Sequence, residues 1–497
     1  MPNEDEVRFA GYPTAFVYDA PDGKKIQHLL WGDYLRLLDE ETDDWVEVRA
    51  RGINGWMKKA DLQEKRLLEI NFVDIGQGDG CFIVTPQDRF LVIDAGESDN
   101  MYRFLRWRFN LRKHPEQVID CDAAIITHPD SDHYQGFRQI FDSPSFRFDT
   151  VYHNGLVERV GNDPLGARDK HGDLSYATGL VRDRSALEEI IGKPSLVGKK
   201  LYPSLLRAAA TSGRAQDIRS LWQEDAFLPG YDGSDDGGLE IKVLAPIPEV
   251  VNGKPALRWF DSSRSDTGKT KNGHSVVLML RYHGVKVLLG GDLNIPAENY
   301  LLSHYTGLDL ENADPQDVIA EARKVFQADV AKACHHGSAD FTSTFLKAVN
   351  PIVTVISSGD AESHCHPRPD ALGAFGKCGR GDRPLLFSTE LARSSRDSIK
   401  EPNRLRDEIR NLMEKRDLEQ DEEKRASLQE KIHQKLAVLE RSVAVYGMIN
   451  LRTDGHKVIM AQKLEEPRGR TGEKWDVHRL EPDAQGELRY ISKHEGH

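Results

Sequence analysis

Thr127-His128-Pro129-Asp130-Ser131-Asp132-His133-Tyr134-Gln135-Gly136 sets two histidines and two aspartates within six positions, directly after the apolar run Ala123-Ala124-Ile125-Ile126. A short apolar run bounded by polar residues reads as a buried strand. Charges this dense at the end of a buried strand are costly unless a cation compensates them. In a loop that turns back on itself, His128 and Asp130 can face one metal ion while Asp132 and His133 face a second. The ends of strands are also where α/β folds place ligand groups. These ten residues therefore predict a metal site at a sheet edge.

The neighbouring sequence supplies the sheet. Leu68-Glu69-Ile70-Asn71-Phe72-Val73-Asp74, Cys81-Phe82-Ile83-Val84 and Phe90-Leu91-Val92-Ile93-Asp94 are apolar runs separated by glycine turns, and residues 100–119 read as a helix. Further on come Ser275-Val276-Val277-Leu278-Met279-Leu280, Val287-Leu288-Leu289-Gly290-Gly291-Asp292, Ala333-Cys334-His335-His336-Gly337-Ser338, Val355-Ile356-Ser357-Ser358-Gly359 and His366-Pro367. In this order, together with Asp74-Ile75-Gly76-Gln77-Gly78-Asp79 and Asp94-Ala95-Gly96, the motifs resemble those of metallo-β-lactamase-fold hydrolases. The His-x-His-x-Asp-His signature is present with Asp130 in the second His position, a variant typical of the ComEC-like branch.

That resemblance implies a four-layer αββα metallo-β-lactamase fold over 66–497, closed by a terminal hairpin near 443–462, and two divalent metal ions, Zn²⁺ or Mn²⁺. The metal ligands it implies are His128, Asp130, Asp132, His133, Asp292 as the bridging carboxylate, His335 ahead of its neighbour His336, and His366. His274 stands near the place where many relatives carry a third His, with His153 as a competitor. Asp79 and Asp94 are expected to orient ligands, and Asp132, His335 and His336 to take part in catalysis. Lys332 and Arg383 are candidate phosphate contacts. His364 and Cys365, although thiolates bind zinc, are expected to be incidental. An aspartate in place of a His makes the site richer in oxygen, which favours Mn²⁺ alongside Zn²⁺.

Residues 1–65 read as a small all-β domain. Thr14-Ala15-Phe16-Val17-Tyr18, Tyr34-Leu35-Arg36-Leu37-Leu38 and Trp45-Val46-Glu47-Val48-Arg49 are separated by Asp-Gly, Gly-Asp and Asn-Gly turns. The order resembles a bacterial SH3-like barrel, with Trp45 and Trp56 either in its core or in a peptide groove. Residues 154–270 read as an insertion beside the site, a candidate lid, with helices at Ser185–Ile191 and Ser204–Trp222. Residues 400–442 read as a second, helical insertion, because Leu405, Ile409, Leu412, Leu428, Ile432 and Leu436 recur at helical spacing amid dense charge.

At 497 residues, more than one core is expected. No apolar run reaches the roughly 20 residues of a membrane helix, whereas the competence members of the resembled branch sit in membranes; DNA import is not expected. An acidic start, with five cysteines in no framework spacing, reads as cytoplasmic. A net charge of -13 argues against nonspecific coating of nucleic acid, but bound dications supply charge that this count omits. The function expected is metal-dependent phosphodiester hydrolysis, with a nucleic acid or nucleotide as substrate. Other ester or lactone chemistry, and an effector recruiting a protein partner through the SH3-like domain or the 404–442 helix, are the alternatives.

Overall fold

The computed structural model describes residues 7–76, 78–234, 237–263, 266–359, 365–389, 402–444, 447–468 and 473–493. Two sheets stack face to face. The first has ten strands, among them Leu68–Phe72, Gly80–Val84, Phe90–Ala95, Ile119–Ile126 and Phe146–His153. The second has seven, with Val277–Tyr282, Val285–Leu289, Val330–Lys332, Val353–Ile356 and Leu385–Ser388 at its centre and one edge. Residues that alternate along these strands, such as Ile70, Ile83, Ile125, Leu278, Val287 and Val355, fill the space between the sheets. The opposite face of each sheet is covered by helices, with Phe104, Phe137 and Tyr202 on one side and Leu301, Ala322 and Phe345 on the other. Strands buried on both faces explain why the runs read as continuously apolar rather than alternating. The result is the four-layer αββα arrangement.

Several elements differ from their sequence-based reading. The helix after Ser98 covers only Asn100–Arg108; Asn110 adopts a left-handed φ of 52°, which ends the regular turn well before 119. Leu201–Thr211 is helical, but Gly213 follows and Ala215–Ser220 becomes a strand parallel to Phe146–His153. Its Ala215, Ile218 and Ser220 are buried, so sheet packing prevails over helical spacing. Phe227–Asp232 and Leu239–Ala245 likewise extend the second sheet beside Val277–Tyr282. The stretch 154–270 thus supplies strands to both core sheets. Within it, a four-stranded sheet formed by Arg168–His171, Leu174–Ala177, Glu249–Val251 and Lys254–Arg258 stands apart. At the other end of the chain, the expected hairpin is the beginning of four antiparallel strands, Ile449–Thr453, Val458–Arg468, Glu473–Pro482 and Leu488–Ile491. Pro402–Leu418 and Glu422–Ala444 form a helical hairpin closed by Ile409 against Ile432. No helix among the described residues is long and apolar enough to cross a membrane.

The N-terminal segment forms a separate seven-stranded, all-β antiparallel sheet around Val17, Leu29, Leu35, Val48 and Met57. Trp45 is buried in it, edge-on to Tyr18. This sheet is docked on the two-sheet fold rather than tethered to it. Leu30 and Trp31 join the core beneath the ten-stranded sheet. Arg452, in the strand Ile449–Thr453, donates from Nη1 to Trp31 O at 2.7 Å and to Asp33 Oδ1 at 2.8 Å, and from Nε to Asn450 Oδ1 at 2.8 Å. Its Nη2 lies 3.8 Å from Glu69 Oε1. Burial alone would raise the Asp33 and Glu69 carboxyls, but Arg51 and Arg452 hold Asp33 far below the usual range. Arg108, Arg452 and Arg66 likewise bring Glu69 down to about 2.

Removing one partner of such a buried network leaves the others uncompensated. Arg452→Met should cost about 3–5 kcal/mol in urea unfolding near neutral pH. Because Asp33 and Glu69 are depressed in the folded state, their contribution is complete above their unfolded values near 4. It is lost as pH falls toward the folded Glu69 value of about 2. The difference between wild type and Arg452→Met should therefore shrink below about pH 4, which urea titrations at stepped pH will measure.

Candidate metal centre

The parallel strands of both sheets end along one edge. Ile119–Ile126 delivers Thr127 and His128, and the short helix Ser131–Tyr134 then presents Asp132 and His133. From the second sheet, Val285–Leu289 leads to Asp292, Val330–Lys332 to His335 and His336, and Val353–Ile356 to Ser357. The Val276 amide donates to Thr127 O at 2.9 Å and pins one sheet edge to the other. The loops close because two glycines permit it: a Cβ at Gly78 (φ 100°) would strike the Asp132 carbonyl, and one at Gly136 the Ala95 carbonyl.

Each central imidazole is held from behind. Asp94 adopts a left-handed φ of 54° and accepts from Thr127 N at 2.8 Å and Thr127 Oγ1 at 2.7 Å. Its Oδ2 lies 2.8 Å from His133 Nδ1. A carboxylate accepts only, so Nδ1 carries the proton and Nε2 of His133 faces inward unprotonated when neutral. His336 repeats the device. Its Nδ1 lies 3.1 Å from Ser357 O and 3.2 Å from Asp79 Oδ1. The two Nε2 atoms approach to 3.3 Å, and each lies near Asp292 Oδ2, at 3.3 Å from His133 and 3.2 Å from His336. Asp132 Oδ2 is 3.4 Å from His336 Nε2. His128 Nε2 and Asp292 Oδ1 are buried without a hydrogen-bond partner.

Lone pairs and carboxylate oxygens that converge in this way repel unless protons or a cation stand among them. Burial opposes charge on His133 and His336. Asp292 and Asp94 nonetheless hold the first well above the ordinary histidine range, and Asp292 and Asp79 the second. Asp292, which burial would raise, is held well below its ordinary value by His336 and His133. Behind it Lys332 pairs with Asp79, donates to Gly291 O at 3.0 Å and lies 3.6 Å from Asp292 Oδ1. His128, His133 and Asp292 form one group able to hold a metal ion, and Asp132, His133 and His336 another. The donor set and its orphaned inward atoms fit divalent cations.

Other residues singled out in the sequence lie elsewhere or differently. His274 does not face the cluster: its Nε2 lies 2.7 Å from Arg258 O and its ring stacks on Phe260. Burial pushes it down to about 4, and Ser275 occupies the place beside His128, with Oγ 3.3 Å from Nδ1. His153 accepts from the Gly155 amide. Of the histidine pair, His336 is the buried, inward residue. His335, favoured in the sequence, lies on the cleft wall 27% exposed, with Nε2 4.0 Å from Asp292 Oδ2. Left-handed φ values at both residues, 49° and 54°, turn their side chains apart. His366 lines the same cleft, its ring 5.6 Å from that of His335. Asp130 also lines it, but pairs with Lys271 and lies 3.7 Å from His128 Nε2. Arg383 donates to Ser492, in a separate pocket. Cys365 is exposed, and Gln77 and His364 lie outside the described residues. Lys271 and Asn272 escaped the sequence reading; what could have disclosed them is their position just before Ser275 and the strand Val277–Tyr282, both of which the sequence singles out.

Residues 80–163 match the Metallo-beta-lactamase superfamily. The chain is 23% identical over 321 residues to ComE operon protein 3 of Bacillus subtilis (strain 168), covering 61% of this chain and 30% of the relative. It is 28% identical over 184 residues to competence protein ComA of Neisseria gonorrhoeae, covering 32% of this chain and 24% of that protein. It thus spans less than a third of either relative's length. Among solved structures, a point mutant of CmlA beta-hydroxylase is similar over 64% of this chain and 52% of that one, at 12% identity and a TM-score of 0.30.

Asp94→Asn should weaken divalent-metal binding about 10–100-fold by freeing the His133 ring. Because His133 and His336 bind protons unusually well without metal, metal binding should release protons, and affinity should rise with pH until both imidazoles are neutral. Calorimetry in buffers of different ionisation enthalpy reads both effects.

Proposed function

We propose that this chain, which carries a metallo-β-lactamase superfamily hydrolase domain, is a metal-dependent phosphodiesterase that acts on a nucleic acid or nucleotide. The observation that carries this reading is the convergence of His128, Asp132, His133, Asp292 and His336 at the floor of a cleft of about 370 Å³. The cleft walls are polar: Glu97, Asp130, Glu158, Lys271, Asn272 and His335 line it. Such walls suit a hydrated, polar substrate, whose negative charge bound cations and Lys271 would meet, and offer little to an acyl chain. The likeness to ComEC-like proteins supports the same choice, whereas fold alone does not select among ester chemistries.

His128, Asp132, His133, Asp292 and His336 would hold the metal ions, Zn²⁺ or Mn²⁺, which when bound supply Lewis acidity and lower the pKa of water. The protein's own residues do the rest. Asp94 and Asp79 fix the two central rings so that no reorganisation is needed during reaction. Lys332, held on Asp79 and Gly291 O, keeps Asp292 from swinging away. His335 stands on the cleft wall beside the cluster, and burial lowers its proton affinity, so its neutral ring can hydrogen-bond a leaving oxygen there.

Metal-stripped protein resupplied with Mn²⁺ or Zn²⁺ should hydrolyse bis-p-nitrophenyl phosphate, and labelled single- and double-stranded DNA and RNA will define the polymer. Asp132→Ala should lower turnover by about a hundredfold or more. Metal-loaded wild type that cleaves none of these substrates would overturn the phosphodiester reading.

A further inference from the structure

Lys271 is the lysine that the chain itself places on the cleft wall among the described lining residues. It is not a mobile surface lysine. Its side chain is 14% exposed, and Nζ pairs with Asp130 while lying 3.7 Å from Glu158 Oε1 and 3.5 Å from Pro129 O. The short helix that carries it, Gly268–Gly273, is clamped at its start. Asp261 accepts from Lys269 N at 3.0 Å, Thr270 N at 2.8 Å and Thr270 Oγ1 at 2.6 Å. Asn294 Nδ2 donates to Lys269 O at 2.9 Å.

Asp130 is satisfied from this same helix. One oxygen receives Lys271, and the other accepts from the Asn272 amide nitrogen at 2.7 Å once that amide is turned so that its nitrogen faces acceptors. No group of described residues able to hold a metal ion includes Asp130, although His128, Asp132, His133 and Asp292 each belong to at least one such group. The two carboxylates of the Asp-Ser-Asp run therefore have different tasks: Asp132 turns toward His336, and Asp130 toward a lysine.

We propose that Asp130 holds Lys271 rather than a metal ion, and that the Lys271 ammonium binds a nonbridging oxygen of a substrate phosphate entering the cleft. The first half stands on geometry alone; the second rests on the phosphodiesterase reading. Lys271 keeps its link to Asp130 while an N–H now spent on the long contacts to Glu158 Oε1, at 3.7 Å, or Pro129 O, at 3.5 Å, turns to the anion, since an ammonium has three donors. It is a positioning and specificity residue, setting phosphate against the cluster from the cleft wall.

The test combines metal content after exhaustive dialysis, calorimetric binding of inorganic phosphate to the metal-loaded protein, and bis-p-nitrophenyl phosphate kinetics. Asp130→Asn and Lys271→Met should keep the wild-type metal content, whereas Asp132→Ala should lose metal. Lys271→Met should weaken phosphate binding and raise KM about tenfold with kcat changed far less, and Lys271→Arg should recover most of the loss. Metal loss in Asp130→Asn comparable to that in Asp132→Ala would overturn the assignment of Asp130. Unchanged phosphate binding in Lys271→Met would overturn that of Lys271. Should wild type bind phosphate through Lys271 yet cleave no phosphodiester, the Lys271 assignment stands and the phosphodiesterase reading falls.

Discussion

Three buried carboxylates, Asp79, Asp94 and Asp292, are gathered where two sheets end, with Asp132 beside them, and the rest of the site follows from the need to neutralise them. A charge removed from water is tolerated when it is paired and hydrogen-bonded. Each aspartate here is answered differently. Asp94 is answered by Thr127 and His133, Asp79 by Lys332 and His336, and Asp292 by His133 and His336 with Lys332 behind. The histidines are thus turned by carboxylates at Nδ1 and turn toward carboxylates at Nε2. Such a cluster assembles only if both sheets arrive in register, so the inter-sheet core and the candidate metal centre depend on one another.

A second buried charge network solves a different problem. Arg452 ties the N-terminal barrel to the ten-stranded sheet through Trp31 O and Asp33, and Tyr12 adds a hydrogen bond to Glu481 at 2.5 Å. Lys474 N donates to His28 Nδ1 at 2.9 Å. The contacts on the side of the ten-stranded sheet come largely from strands after residue 448. The C-terminal strands and the N-terminal sheet therefore stabilise one another.

How much of this could be read from sequence depends on whether the signal is local. The run Thr127–Gly136 was legible because its chemistry is concentrated in ten residues after one apolar strand, and the strands of both sheets were legible because burial on both faces leaves continuous apolar runs. The all-β character of the first block followed from its turns. Ala215–Ser220 and Leu239–Ala245 were missed because each borrows its burial from a partner strand distant in sequence. Which of two adjacent histidines turns inward depends on backbone angles at His335 and His336, and no composition rule reports those. His274 looked like a ligand by position alone; Phe260 and Arg258, which claim it, lie in the stretch read as an insertion.

That stretch does more than cover the site. It contributes Glu158 to the cleft wall and leads directly into the Lys271–Asn272 pair, and it supplies the strands that carry the second sheet to its edge. Lys332 and Lys271 hold different places, one buried on Asp79 and one on the cleft wall with Asp130. A lysine behind the carboxylates lowers the net negative charge that bound ions would have to offset, without competing for the inward nitrogens. A lysine in front adds positive charge where an anion enters. The acidic net charge of the whole chain is therefore a poor guide to the field inside this cleft, which is set by where a few fixed cations and carboxylates stand relative to one another.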